Sequence, residues 1–132
     1  MIVRKKSVTF RNLDGDVSLN ASASSLDEWY VSIRDTELSG LRDSDLARAC
    51  RQQLFLEEVI PEVIERLNVN PLAGDIYEGE LMLSIKPVPK GFWLDHHDCA
   101  EKMRKLVFEF KELRLDDDFR EDFESIKQSI SG

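Results

Sequence analysis

Apolar residues recur along this chain at helical spacing, in separate blocks. Leu26, Trp29, Tyr30 and Ile33 fall at i, i+3, i+4 and i+7, which is one helix face. Ser25 and Glu28 at its start form an S-x-x-E capping box, each side chain satisfying a free backbone amide. Ser39-Gly40 breaks this helix off. Asp43 or Ser44 is placed to cap the next, whose inner face is Leu46, Ala49, Cys50, Leu54 and Phe55. A third stripe is Val59, Ile60, Val63, Ile64 and Leu67, interrupted by Pro61. Proline lacks an amide and clashes with the preceding turn, so the pattern predicts a helix over about 45–53, a break or kink, then a helix to about Leu67.

Asn70-Pro71 and Gly74-Asp75 predict a turn-rich link. A short helix over about 78–85 carries Leu81, Met82 and Ile85 and ends at Pro87 and Pro89. Asp95 reads as an N-cap, with Asp98 favouring the dipole of the helix that follows. That helix carries Ala100, Met103, Leu106, Val107, Phe110 and Leu113. Asp116 or Asp117 opens a last one with Phe119, Phe123, Ile126 and Ile130. The expected core includes Trp29, Leu46, Ile60, Ile64, Leu81, Leu106 and Phe110. The fold class is mainly α: a compact single-domain bundle of five or six short helices over 25–131. Residues 1–24 leave two readings open. Val8 and Phe10 alternate with polar residues and Asp14-Gly15 is a hairpin turn pair, giving a short β ribbon from roughly 7 to 20. The other reading is a loosely docked arm.

Composition narrows the function. The 132 residues fit one domain, and 42% apolar residues supply one modest core. Lys and Arg number 18 against 26 Asp and Glu, a net charge of 18 − 26 = −8. That argues against unaided binding to nucleic acid or anionic membranes and allows a basic protein partner. No apolar run is long enough to span a membrane, and the N-terminus lacks the apolar stretch of a signal peptide, so a cytoplasmic location is expected. Cys50 and Cys99 then remain thiols.

Catalytic constellations are weak. His96, His97, Asp98 and Cys99 are adjacent, but zinc helices space ligands three or four apart, so no metal or other cofactor is expected. Cys50 lies on an apolar face and reads as a small hydrophobe. No nucleophile elbow, phosphate loop or H-E-x-x-H motif is present, so the chain does not read as an enzyme. A metal-dependent hydrolase built on His96 and His97, and a small acidic adaptor domain, are the rival readings. The acidity itself is clustered. Glu58, Glu62 and Glu65 share a helical face at i, i+4 and i+7. Asp116, Asp117, Asp118, Glu121 and Asp122 crowd the start of the last helix. Either patch can be a solvated face, or a negative surface that docks a positive partner.

Several short motifs point to one family. They are Leu38-x-x-Leu-x-x-x-Asp-Leu46, Arg51-Gln52-x-Leu54, Ile60-Pro61-x-x-x-Glu65-Arg66-Leu67, the block Asn70-Pro-Leu-Ala-Gly-Asp-Ile-Tyr-Glu-Gly-Glu-Leu81, and Phe92-Trp93. Together they resemble the immunity proteins of bacterial contact-dependent growth inhibition (CDI) systems. The resemblance spans roughly residues 35–95, and the 70–81 block is its most specific part. Asn12–Ser24 and the acidic tail after Leu115 fall outside the pattern. The resemblance implies a small cytoplasmic protein that binds the C-terminal toxin domain of a surface-delivered effector and protects sibling cells. Many such toxins are nucleases, whose basic surfaces suit an acidic inhibitor. Within the block, Gly74 and Gly79 suit tight turns, Asp75 is placed to bond nearby amides and Tyr77 to wedge at the short helix.

Overall fold

The periodic stretches are helices in the computed structural model, which describes residues 8–15, 25–113 and 117–130, without the side chains of 110–113, 117–120, 122 and 123. In chain order they are α1 (Phe10–Leu13), α2 (Ser25–Ile33), α3 (Asp43–Arg51), α4 (Leu56–Val69), α5 (Glu80–Leu83), α6 (Lys90–Asp95), α7 (His97–Leu113) and α8 (Asp117–Ile130). A 3-10 turn, Leu38–Gly40, joins α2 to α3. No strand occurs among the described residues. No helix among them is long and apolar enough to cross a membrane.

α4 packs against α3 and α7, α5 lies on α3, and α8 closes over α6 and α7. The apolar stripes meet there. Leu46 and Cys50 of α3, Ile60 and Ile64 of α4, Leu81 and Met82 of α5, Met103 and Leu106 of α7 and Ile126 of α8 are all buried in one cluster. Of the expected core, only Trp29 is half-buried, and Phe110 lies outside the described side chains. Trp29 stays at the edge because its indole N–H donates to Asp45 at 3.0 Å while the Arg48 guanidinium stands 5.0 Å over its ring. The tryptophan thereby pins α2 to α3.

The interruption between α3 and α4 falls earlier than Pro61. Pro61 sits inside a continuous α4, where it deprives only the Glu57 carbonyl of its helical donor. The chain turns instead at 52–55. Leu54 N–H donates to the Ala49 carbonyl and Gln53 N–H to that of Cys50, which is a Schellman closure of α3. Gln53 takes the left-handed position (φ 56°) where glycine is usual, and Phe55 follows at φ 45°. No glycine marks this stop.

Other helix starts also shift. The residue before α3 is Arg42, and Asp45, not Asp43 or Ser44, reaches back to accept the Arg42 N–H at 3.2 Å. Asp95 closes α6 instead of capping α7, and the His96 carbonyl takes the first bond of α7, from Ala100. α6 itself was not foreseen.

The N-terminal segment also corrects both open readings where it is described. Residues 10–13 form a helical turn, not part of a ribbon. The Thr9 hydroxyl accepts from Asn12 N–H, and the Asn12 side chain accepts from Thr9 N–H. Nor is the turn loosely docked. Phe10 is fully buried, with its ring stacked on Tyr30 and 5.4 Å from Phe55. Asp14 accepts two bonds from Arg34, at 2.8 and 3.0 Å, and one from the Tyr30 hydroxyl at 2.7 Å. Burial, then the hydrogen bond to Asp14, pushes the Tyr30 phenol up. Residue 7 and residues 16–24, which hold the remainder of the ribbon span and the Asn20–Ser25 loop apart from Ser25, lie outside the described residues.

Candidate partner-binding surface

Arg66 organises one side of the domain. It follows Glu62 by one helical turn on α4, so its guanidinium returns over that carboxylate. Nε donates to Glu62 Oε2 at 2.9 Å. Nη1 donates to the Leu41 carbonyl at 2.7 Å and to Asp43 Oδ1 at 3.0 Å. Nη2 donates to the carbonyls of Leu38 at 3.1 Å and Ser39 at 3.2 Å. All five guanidinium N–H groups are thus used. They tie α4 to the 3-10 turn and to the start of α3.

Beside this fork is an open groove of about 320 Å³, lined by Asp43, Glu62, Glu65, Arg66 and Val69 and by the start of the 70–81 block. Its lining carries three carboxylates and one guanidinium. Glu62 Oε1 is buried without a hydrogen-bond partner. Val69, at the end of α4, is 85% exposed.

The 70–81 block is a loop held from within. Asn70 Oδ1 accepts from Leu72 N–H, an Asx turn. Glu80, buried, accepts with one oxygen from Asp75 N–H at 2.9 Å and Ile76 N–H at 3.1 Å. Gly79 sits at φ 85°. At Gly74 a β-carbon would lie 2.0 Å from the Tyr77 carbonyl oxygen, so only glycine fits. The amide-binding role expected of Asp75 therefore belongs to Glu80, while Asp75 accepts from the Ser44 hydroxyl of α3 at 2.7 Å. Tyr77 is exposed and does not wedge under α5; Ile76 beside it is exposed too. Both side chains face solvent.

The acidic residues read from the sequence do not form one stripe. On α4, Glu65 is exposed, Glu58 half-buried and Glu62 buried in its pair with Arg66. Glu62 is therefore not part of a solvated face. Glu121 on α8 is exposed. Asp117, Asp118 and Asp122 belong to α8, but their side chains, and the whole of Asp116, lie outside the description. Sequence reasoning missed the structural work of Arg66 and Glu80. The i, i+4 spacing of Glu62 and Arg66 was the available signal.

Two of the catalytic candidates, His96 and Cys50, take structural places. Among the described residues no group of three or more His, Cys, Asp or Glu side chains is arranged to hold a metal ion. His96 stacks on Phe92 with centroids 4.1 Å apart, and its Nδ1 lies 2.8 Å from the Phe92 carbonyl. Cys50 is fully buried, and burial pushes its thiol up to about 12. A thiol there is not a ready nucleophile. Trp93 is buried edge-on to Phe92.

The sequence model of the CDI immunity protein family matches residues 13–103. The chain belongs to that family. The match takes in α2 through the first turns of α7, including the Arg66 fork, the groove and the loop built on Glu80. It stops before α8 and its acidic start. No curated protein matches this CDI immunity protein.

Proposed function

We propose that this chain binds and neutralises the C-terminal toxin domain of a CDI effector, and that the toxin surface it meets is basic, as a nuclease's substrate face is. Membership of the CDI immunity family carries the first part. The net charge of −8 supports the second. The inhibitor works by occupancy: its carboxylates compete with phosphate for the same cations, and its bulk covers the cleft or the surface substrate must cross. Glu58 and Glu65 on α4 and the Asp116, Asp117, Asp118, Glu121 and Asp122 segment supply the charge. Glu62 contributes through Arg66 and the groove, not as a free surface charge.

Rim charges steer encounter and set salt dependence more than they set final affinity. The test is charge reversal at Asp117, Asp118, Glu121 and Asp122 together, and separately at Glu58 and Glu65. Association with the cognate toxin domain is followed across a salt series. Slower association and a shallower salt slope are expected from at least one set. Unchanged rate, affinity and salt slope in both would remove the electrostatic part of the reading.

A further inference from the structure

Among the described residues, six large apolar side chains stand exposed, and three of them, Val69, Ile76 and Tyr77, fall within residues 69–77. Single exposed apolar residues are ordinary, whereas a concentration of them marks a contact surface. Ile76 is 73% exposed and Tyr77 48%. The loop that carries them closes through its backbone. Gly79 N–H donates to the Leu72 carbonyl at 2.9 Å, Leu81 N–H to that of Ala73 at 3.1 Å and Glu80 N–H to that of Tyr77 at 3.2 Å. The buried Glu80 carboxylate takes the amides of Asp75 and Ile76, which offset its desolvation. None of these bonds uses the side chain of Ile76 or Tyr77. Their result is a tip, Asp75-Ile76-Tyr77-Glu78, with all four residues exposed. The tip sits beside the carboxylate face of α4. The Ser44 hydroxyl holds Asp75, and Asp43 next to Ser44 lines one groove with Glu65 and Val69. Tip, Val69 and the exposed Glu65 therefore lie on one side of the domain.

We propose that Ile76 and Tyr77 are the apolar anchor of the toxin interface, seated in an apolar cleft of the cognate toxin domain whose rim carries lysine or arginine against Asp75 and Glu78. The assignment rests on the reading of the chain as a toxin inhibitor. Charge complementarity selects the occupant. A carboxylate stands immediately before and after the apolar pair, so the cleft that accepts the pair meets negative charge on both sides. A second copy of this chain is a poor occupant, because a two-fold contact through the tip sets Asp75 and Glu78 against the same carboxylates. Tyrosine suits the role: it brings a large contact area and is enriched among the residues that dominate binding energy.

Five variants test this against the cognate CDI toxin domain, with affinity read by calorimetry and association followed across a salt series. Ile76→Ser and Tyr77→Ser remove the anchor one side chain at a time. Val31→Ser on α2 and Leu94→Ser on α6 make the same kind of change at apolar positions that match Tyr77 in exposure. Asp75→Asn combined with Glu78→Gln removes both charges and leaves Ser44 an acceptor oxygen. Circular dichroism and urea midpoints establish that each variant folds. The proposal expects Ile76→Ser and Tyr77→Ser each to bind about tenfold or more weakly than wild type, and Val31→Ser and Leu94→Ser to stay within about threefold. It expects the Asp75→Asn, Glu78→Gln protein to show a shallower salt slope of association. Tip variants that bind no worse than Val31→Ser and Leu94→Ser, or an unchanged salt slope, overturn it while toxin binding stands. A wild-type dimer in sedimentation that Tyr77→Ser dissolves, with toxin affinity unchanged, overturns it in favour of a second copy. Wild-type protein that fails to bind the toxin at all overturns both this proposal and the reading on which it rests.

Discussion

Replacing Arg66 by Met is the most informative perturbation of the fold. The substitution keeps a long apolar stem and removes five donors at once. Glu62, only 8% exposed at its side chain, loses the one cation paired with it at 2.9 Å. The carbonyls of Leu38, Ser39 and Leu41 lose their side-chain donor. Breaking one side of a buried ion pair costs about 3–5 kcal/mol, because the remaining charge stays desolvated. Arg66 is itself 18% exposed, so the small values typical of surface pairs do not apply. A domain of this size is stable by about 5–15 kcal/mol, so the loss is a large fraction. With a urea slope of about 1–3 kcal/mol/M, the unfolding midpoint falls by about 1 M or more. Arg66→Lys keeps the charge but not the planar fork, and falls between Met and wild type. Combining Glu62→Leu with Arg66→Met removes the stranded charge and recovers part of the loss. Equilibrium urea unfolding followed by circular dichroism measures all four proteins. A loss below about 1 kcal/mol for Arg66→Met, or a double variant no more stable than Arg66→Met, refutes the reasoning.

Other outcomes follow from the same contacts. Glu80→Ala should cost about 2–4 kcal/mol by orphaning two loop amides, while Glu80→Gln, which retains an acceptor oxygen, should cost clearly less; equal losses would contradict the clamp. Gly74→Ala should destabilise by about 2 kcal/mol or more, since the new methyl meets backbone, and a neutral effect on denaturation would place the loop elsewhere. For Asp45, burial raises the carboxyl pKa, but hydrogen bonds from Arg42 and Trp29 outweigh it and hold the group below its ordinary value. A depressed folded pKa gives stability above the unfolded value of about 4, lost as pH falls through the folded one. Asp45→Asn should therefore cost about 1–3 kcal/mol at pH 7, and the gap to wild type should narrow below about pH 4; a gap constant with pH would contradict this.

The helical class and most of the core were legible because apolar residues at 3.6-residue spacing have one packing solution. Leu46, Ile60, Ile64, Leu81 and Leu106 were placed correctly from spacing alone. What stayed hidden lacks a local signal. The α3 stop uses Gln53 in a conformation that sequence rules assign to glycine, so Pro61 drew the break instead. α6 lies between Pro89 and the start of α7 and carries Gly91 inside it, which disguises a short helix. Phe10 is a core residue reached by a turn of only four residues, too short for periodicity. The candidate site was half legible. Clustered carboxylates are visible in the sequence, but which of them is buried depends on a partner, and Arg66 reaches across more than twenty residues to Leu38 and Leu41. Glu80 likewise looks like one more acidic residue until the amides it binds are seen.

Protection of growing cells tests the account's central claim most directly. The cognate CDI toxin domain is induced in cells that carry this chain, an empty vector, or a folded but unrelated acidic protein of similar charge. The account predicts growth only with this chain, with toxin and chain co-purifying at one to one. Growth arrest in its presence, or equal rescue by the unrelated acidic protein, would contradict specific neutralisation of a cognate toxin.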